Sequence, residues 1–227
     1  MEPLACAELA SMMDHSVLGP GAVPADISRA CAEAREHRMF AVCVAPVWVQ
    51  LAARGLAGSG VKVVSVIGFP HGNTLPEAKA AEARLALEAG ASELDMVLQI
   101  GALKCAATEL VLRDIRGVVR AARERDAPVK VILEAALLTD EEKRLACRLA
   151  EEAGAAFVKT STGFGPGGAT ETDVRLLREV VGNRLGVKAS GGIRSLEQAL
   201  ALIRAGASRL GTSASVAILA DLAAAQH

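Results

Sequence analysis

Three charged residues interrupt runs that are otherwise apolar: Asp95 in ELDMV, Lys159 in FVKTS and Lys188 in GVKAS. An ammonium or carboxylate in a buried strand costs free energy unless it is paired, neutralised or used. An amine that stays unprotonated is a nucleophile toward aldehydes and ketones, through a Schiff base. Its ordinary pKa is about 10.4, so reaching about 7 requires roughly 4.6 kcal/mol, at about 1.36 kcal/mol per pKa unit. A like charge about 5 Å away at an effective dielectric of about 20 contributes ~3 kcal/mol of that, and burial supplies the rest. Two lysines side by side therefore suffice to make one of them a working amine. Lys159 follows the more desolvating segment GAAFV and is expected to be the nucleophile, with Lys188 as its charged helper. Asp95 is expected to act as general acid/base through a water. The alternative is that both lysines are structural plugs, paired with Asp95 and Glu134.

The elements that must position these residues are legible as a repeat. Apolar runs that read as buried parallel strands are MMDHSVL, FAVCVAP, VKVVSVIGF, ELDMVLQ, VKVILE, FVKTS, GVKAS and RLGTS. Helical patterns lie between them. TLPEAKAAEARLALEAG is expected to start with Thr74 as its cap, TDEEKRLACRLAEEAG with Thr139 and Glu142, and SLEQALALIRAG with Ser195 and Gln198. Eight alternating units predict an α/β fold, a (β/α)₈ TIM barrel, as one domain over residues 1–227. An open doubly wound sheet is the rival, but no GxGxxG follows the first strand.

An internal echo sharpens the geometry. AGASELD, AGAAFVK and AGASRLG begin at Ala89, Ala153 and Ala205, and each passes from a helix-ending glycine into a strand. The same offset leads to Asp95, Lys159 and Gly211, on the fourth, sixth and eighth strands. Alternate strands of such a barrel fill one interior layer. Asp95 and Lys159 are therefore expected to point inward at one height, beside a bare glycine. Loops after the last two strands usually hold phosphate in this fold. Here they read SGGIRS and GTSAS, each ahead of a helix, with the hydroxyls of Thr212 and Ser213 as added donors; STGFGPGG offers a third set of backbone N–H groups.

Composition limits the alternatives. A net charge of -1, 2% aromatic residues and no Tyr argue against nucleic acid and an anionic membrane as partners. The amino-terminal segment has no basic stretch followed by an apolar one, so neither a signal peptide nor a transmembrane span is expected. Five scattered cysteines, without a CxxC pair, suggest free thiols in a reducing cytoplasm. His15, His37, His71 and His227 lack metal-ligand spacing, so no metal site is expected. Cys43 faces the barrel mouth as a pocket or core residue. Asp14 and His15 are read as loop-orienting, His71 as a loop residue, and Glu134 as an anchor for an interior lysine.

The segments MDHSVL, VIGFPHG, ELDMV, KVILE, FVKTSTGF and GVKASGGIR, in this order, resemble the deoxyribose-phosphate aldolases from residue 13 to about 216. That resemblance implies a cofactor-free class I aldolase on a TIM barrel, cleaving 2-deoxy-D-ribose 5-phosphate to D-glyceraldehyde 3-phosphate and acetaldehyde. It assigns the Schiff base to Lys159 and proton handling to Lys188 and Asp95. It places the phosphate of the sugar substrate on Gly163, Gly191, Gly192, Gly211 and Ser213. Barrels of this kind commonly pair, so a homo-oligomer, a dimer or tetramer, is expected. Ser16, Gly19, Ala45 and Gln99 depart from residues common in the family (Thr, Lys, Asn and Asn). The carboxyl-terminal LAAAQH carries no tyrosine to relay protons. Read without the resemblance, the same residues would also suit a phosphate-binding synthase or isomerase, or a sugar-phosphate sensor without turnover.

Overall fold

The computed structural model describes residues 5–226; the first four residues of the segment read for a leader, and His227, lie outside the described residues. In chain order the elements are α1 (Cys6–Ala10), β1 (Met13–Val17), α2 (Pro24–Glu36), β2 (Ala41–Val44), α3 (Val49–Leu56), β3 (Lys62–Ile67), α4 (Pro76–Glu88), β4 (Glu93–Val97), α5 (Ile100–Lys104), α6 (Thr108–Arg123), β5 (Val129–Ile132), α7 (Asp140–Glu152), β6 (Phe157–Lys159), α8 (Glu171–Val181), β7 (Gly186–Ser190), α9 (Leu196–Arg204), β8 (Arg209–Thr212) and α10 (Ser215–Ala225). All eight expected strands form, and they close as a parallel barrel in the order β1 to β8, with β8 returning to β1. The fold is the (β/α)₈ barrel. Among the described residues, no helix is long and apolar enough to cross a membrane.

Strand parity divides the core in two. Met13, Val42, Val44, Leu94, Met96, Val131, Val158, Val187 and Leu210 belong to the large apolar cluster that the strands share with the surrounding helices. The opposite faces fill the barrel. On the β2–β3 side that filling is apolar, with Ala41, Cys43, Val64 and Val66. On the other strands it is charged, with Asp14, Glu93, Asp95, Lys130, Lys159, Lys188 and Arg209 all buried. Burying that many ionised groups is tolerable only if each finds a partner, so the barrel interior is an electrostatic object as much as a hydrophobic one.

Caps set where the helices begin. Thr139 accepts from the Glu142 N–H at 3.2 Å while Glu142 accepts from the Thr139 N–H at 2.8 Å, the expected capping box. Ser195 and Gln198 repeat it on α9. The expectation for Thr74 is corrected: the residue before α4 is Leu75, with no side-chain cap. Pro76 occupies the first helical position and forces the residue ahead of it into extended backbone (φ -64°, ψ 139°), which puts Thr74 one residue too far out to reach the first N–H groups. The glycines that end α4, α7 and α9 all lie at positive φ (111°, 86° and 115°), where a residue with Cβ is strained.

Candidate active site

Lys159 and Lys188 are directly paired across β6 and β7, and both reach the same carboxylate oxygen. Lys159 Nζ lies 2.8 Å from Asp95 Oδ2 and Lys188 Nζ lies 2.7 Å from it. Asp95, Lys159 and Lys188 thus converge inside the barrel: the repeated offset pointed to Asp95 and Lys159, and the adjacency of β6 and β7 brings in Lys188. Gly211 completes the geometry. A Cβ there would stand 2.9 Å from Lys188 Cε and 3.0 Å from Ser190 Cβ, so the eighth strand must be bare for the Lys188 side chain to pass.

Lys188 has a second anchor that the sequence reading missed. Asp14, fully buried on β1, accepts a short hydrogen bond from Lys188 Nζ and is 3.0 Å from Arg209. The expectation that Asp14 orients a loop is corrected: strand alternation turns it into the barrel. His15, one residue on, faces the other way and pairs with Glu33 on α2 at 2.8 Å. A period-two count of charges along each strand was the available signal. It singles out Asp14, and likewise Glu93 two residues before Asp95 and Arg209 two before Gly211.

The electrostatics separate the two lysines. Burial pushes Lys159 down, Asp95 pushes it back up, and Lys188 pushes it down again; the net is below the ordinary lysine value. Burial also lowers Lys188, but Asp14 and Asp95 outweigh it and hold the group well above the ordinary value. Asp95 is raised by burial and lowered further by Lys130, Lys159 and Lys188, ending well below the carboxylate range. The order of causes differs from the sequence expectation. Burial, not the neighbouring charge, is the largest effect on Lys159.

Glu134 does not anchor a lysine. It adopts the left-handed conformation at φ 55°, which breaks the alternation of β5 and directs its carboxylate to the Thr162 N–H (3.3 and 3.4 Å) and hydroxyl. The interior lysine of β5 is Lys130 instead, 2.9 Å from Asp95 Oδ1. Glu134 fixes the loop after β6. Cys43 is fully buried among Ala41, Val64 and Val66, with its thiol pushed up to about 11 by burial. It is a neutral core residue.

Above the lysines the barrel opens into a cavity of about 1010 Å³. Lys159, Gly163, Gly191, Gly192, Gly211 and Ser213 all line it. Three of these glycines sit at positive φ: Gly163 (85°), Gly191 (91°) and Gly192 (76°). The loops after β6 and β7 are packed backbone on backbone. A Cβ on Gly168 would fall 2.3 Å from the Gly191 carbonyl oxygen, and the Ala169 N–H donates to that oxygen at 2.9 Å. Thr160 and Ser190 tie the same strand ends, through Thr160 Oγ1 to Ser190 O (3.0 Å) and Ser190 N to Thr160 Oγ1 (3.1 Å). Thr212 is corrected as an anion donor. Its hydroxyl donates to Ile193 O at 2.6 Å and accepts from the Ala214 N–H at 2.9 Å. Exposed Ser213 remains at the cavity, near the N-terminus of α10. The exposed Arg194, not singled out in the sequence, also lines it.

Residues 9–220 match the DeoC/LacD family aldolases. The chain is 57% identical over 214 residues to the deoxyribose-phosphate aldolase of Thermococcus gammatolerans, covering 93% of this chain and 95% of that one. It is 56% identical over 217 residues to deoxyribose-phosphate aldolase 1 of Bacillus licheniformis, covering 96% and 97%. Among solved structures, the tetrameric deoxyribose phosphate aldolase from Aeropyrum pernix superposes with a TM-score of 0.92 at 37% identity, covering 97% of this chain and 93% of that one. With an aldolase profile over nearly its whole length and relatives this similar, the chain belongs to the DeoC/LacD family of aldolases.

Proposed function

We propose that this protein is a class I deoxyribose-phosphate aldolase, with Lys159 as the Schiff-base nucleophile and Lys188 and Asp95 as its proton-handling partners. The observation that carries the reading is the meeting of Lys159 and Lys188 on one oxygen of Asp95 beneath an open cavity. A lysine lowered by burial next to one held charged is the arrangement an imine-forming amine needs.

In the cleavage direction the neutral Lys159 amine adds to the C1 aldehyde of open-chain 2-deoxy-D-ribose 5-phosphate. The carbinolamine takes a proton on its oxygen and loses water, leaving an iminium. Removal of the C3 hydroxyl proton by Asp95, through a water, lets the C2–C3 bond break. Its electron pair moves into the iminium to form an enamine, and D-glyceraldehyde 3-phosphate departs. Proton return to C2 and addition of water release acetaldehyde and the free amine. Asp95 is strongly acidic, which suits a relay better than a stoichiometric proton store, and charged Lys188 is the nearest proton donor. Gly163, Gly191, Gly192, Gly211 and Ser213 are proposed to seat the phosphate through backbone N–H groups at the helix end and in the turns. We further propose a single domain over residues 1–227 that is located in the cytoplasm and assembles as a dimer or tetramer; the tetramer of the Aeropyrum pernix relative supports the last point.

Borohydride reduction in the presence of acetaldehyde tests the chemistry. A single ethyl group on Lys159, found by peptide mass spectrometry, is expected, together with retro-aldol turnover of deoxyribose 5-phosphate that persists in EDTA. An ethyl group on Lys188 instead would reverse the two lysines, and a protein that takes up none would remove the aldolase.

A further inference from the structure

Below the two lysines the buried charges form a closed circuit. Asp14 bridges Lys188 and Arg209 (3.0 Å to the latter). Arg209 continues to Glu93 at 3.4 Å, Glu93 to Lys130 at 2.5 Å, Lys130 to Asp95 at 2.9 Å, and Asp95 back to Lys188 at 2.7 Å. Every cation in the circuit touches two carboxylates. Lys159 lies outside it, held by Asp95 alone at 2.8 Å.

Counting charges gives the consequence. The circuit has three carboxylates and three cations and is neutral as it stands. Protonated Lys159 would be a fourth cation with no carboxylate of its own, in a region where exposure does not exceed 7% for any member. An excess buried charge is the one a protein sheds by shifting a proton equilibrium. We propose that Glu93, Lys130 and Arg209, none of which touches Lys159, are positioning residues that set its protonation by balancing the circuit beneath it.

The other groups near Lys159 stay outside the circuit. Cys43 on β2 carries a neutral thiol, and the Glu134 carboxylate after β5 accepts from the Thr162 N–H and hydroxyl and makes no ion pair with Lys159 or with any member of the circuit. Arg209 is clamped between the Phe40 ring, 3.3 Å from its centroid, and the Phe157 ring at 5.5 Å. Lys130 stands 5.9 Å from the Phe157 centroid. The circuit is thereby sealed at the side away from the cavity, and solvent cannot easily supply a compensating ion.

The inference rests on the Schiff-base reading and predicts opposite shifts from opposite changes. Lys130→Met removes a cation, so neutrality then requires Lys159 to be protonated. The acid limb of kcat/KM, which reports the free enzyme, should move up by about one pH unit or more. That is a loss of about tenfold in free amine on the acid side. Glu93→Gln removes an anion, so the proton on Lys159 is less welcome and the limb should move down. Lys130→Arg and Glu93→Asp keep the charge and should restore the wild-type profile. The measurement is kcat/KM, together with the rate of acetaldehyde–borohydride trapping on Lys159, across about pH 5 to about pH 10. Opposite shifts in both readouts establish the role. Lower activity with unshifted limbs in both variants would reduce these residues to packing and overturn the proposal. Should Lys130→Met fail to fold, the direction of the Glu93→Gln shift decides alone. Wild-type protein without an ethylated Lys159 would sink the Schiff-base reading itself; an ethylated Lys159 with unshifted profiles sinks only the balancing role.

Discussion

Gly211 carries no side chain, and Lys188 occupies the space one would take. Gly211→Ala would place a methyl 2.9 Å from Lys188 Cε, a distance that forces the chain off the shared Asp95 oxygen. We expect kcat/KM to fall by roughly tenfold or more, with borohydride trapping of acetaldehyde on Lys159 slowed in parallel. Lys159→Met should cost at least about 10³-fold in kcat/KM, as removal of a nucleophile does. Lys188→Leu removes the cation facing Lys159, so the Lys159 pKa should rise. Since only the unprotonated amine reacts, the loss should be larger at neutral than at alkaline pH; a flat loss across pH would contradict the helper role. At this scale the site was legible where a repeat marked it. Asp95, Lys159 and Gly211 fall at one offset from a helix-ending glycine, and an offset is a sequence property. Asp14 and Glu93 carry no such mark. Their importance depends on which strands close beside them, and a charged residue near a strand end reads equally well as solvated.

Between strands and helices, the joints do much of the positioning. Lys79 on α4 is fully buried, 2.6 Å from Asp114 on α6 and 2.8 Å from the Val97 carbonyl at the end of β4. It therefore pins two helices to the strand that carries Asp95. Burial lowers Lys79 and raises Asp114 despite their pairing, so neither charge tolerates losing the other. Lys79→Met should destabilise the fold by about 3–5 kcal/mol in urea denaturation, with part of the loss recovered when Asp114 is made Leu in the same chain. Thr139→Ala removes a side-chain cap and should cost about 1 kcal/mol, read as a lower urea midpoint at unchanged slope. Thr139 and Ser195 are readable as caps because the partner lies three residues away. Thr74 misleads because the proline two residues on dictates where the helix begins, and Glu134 misleads because a left-handed residue cannot be seen in a pattern of alternation.

At the scale of the whole barrel, pH acts through the buried acids. Asp14 and Asp95 have folded pKa values held below the ordinary carboxylate range, Asp95 well below it. A depressed carboxylate contributes stability that is fully present above its unfolded pKa, about 3.9, and is lost as pH falls through the folded value. The barrel should therefore keep this contribution through neutral and mildly acid conditions and lose it only below about pH 4. Chemical denaturation at a series of acid pH values should show that fall, and Asp95→Asn should flatten it. A wild-type profile that declines already near neutrality would assign the acid response to other groups.

The amino-acid sequence by itself determined the eight strands, their alternation with helices, and the inward height shared by Asp95 and Lys159. Each of these follows from local periodicity or fixed spacing, which do not need the chain to be folded to be counted. Only the tertiary structure decided which charges meet. Lys188 could have been neutral or charged until Asp14, 174 residues away along the chain, closed against it, and Arg209 reaches the same carboxylate from β8. Protonation in a buried cluster depends on the sum of all neighbours at short range, and closing the barrel is what brings that sum together.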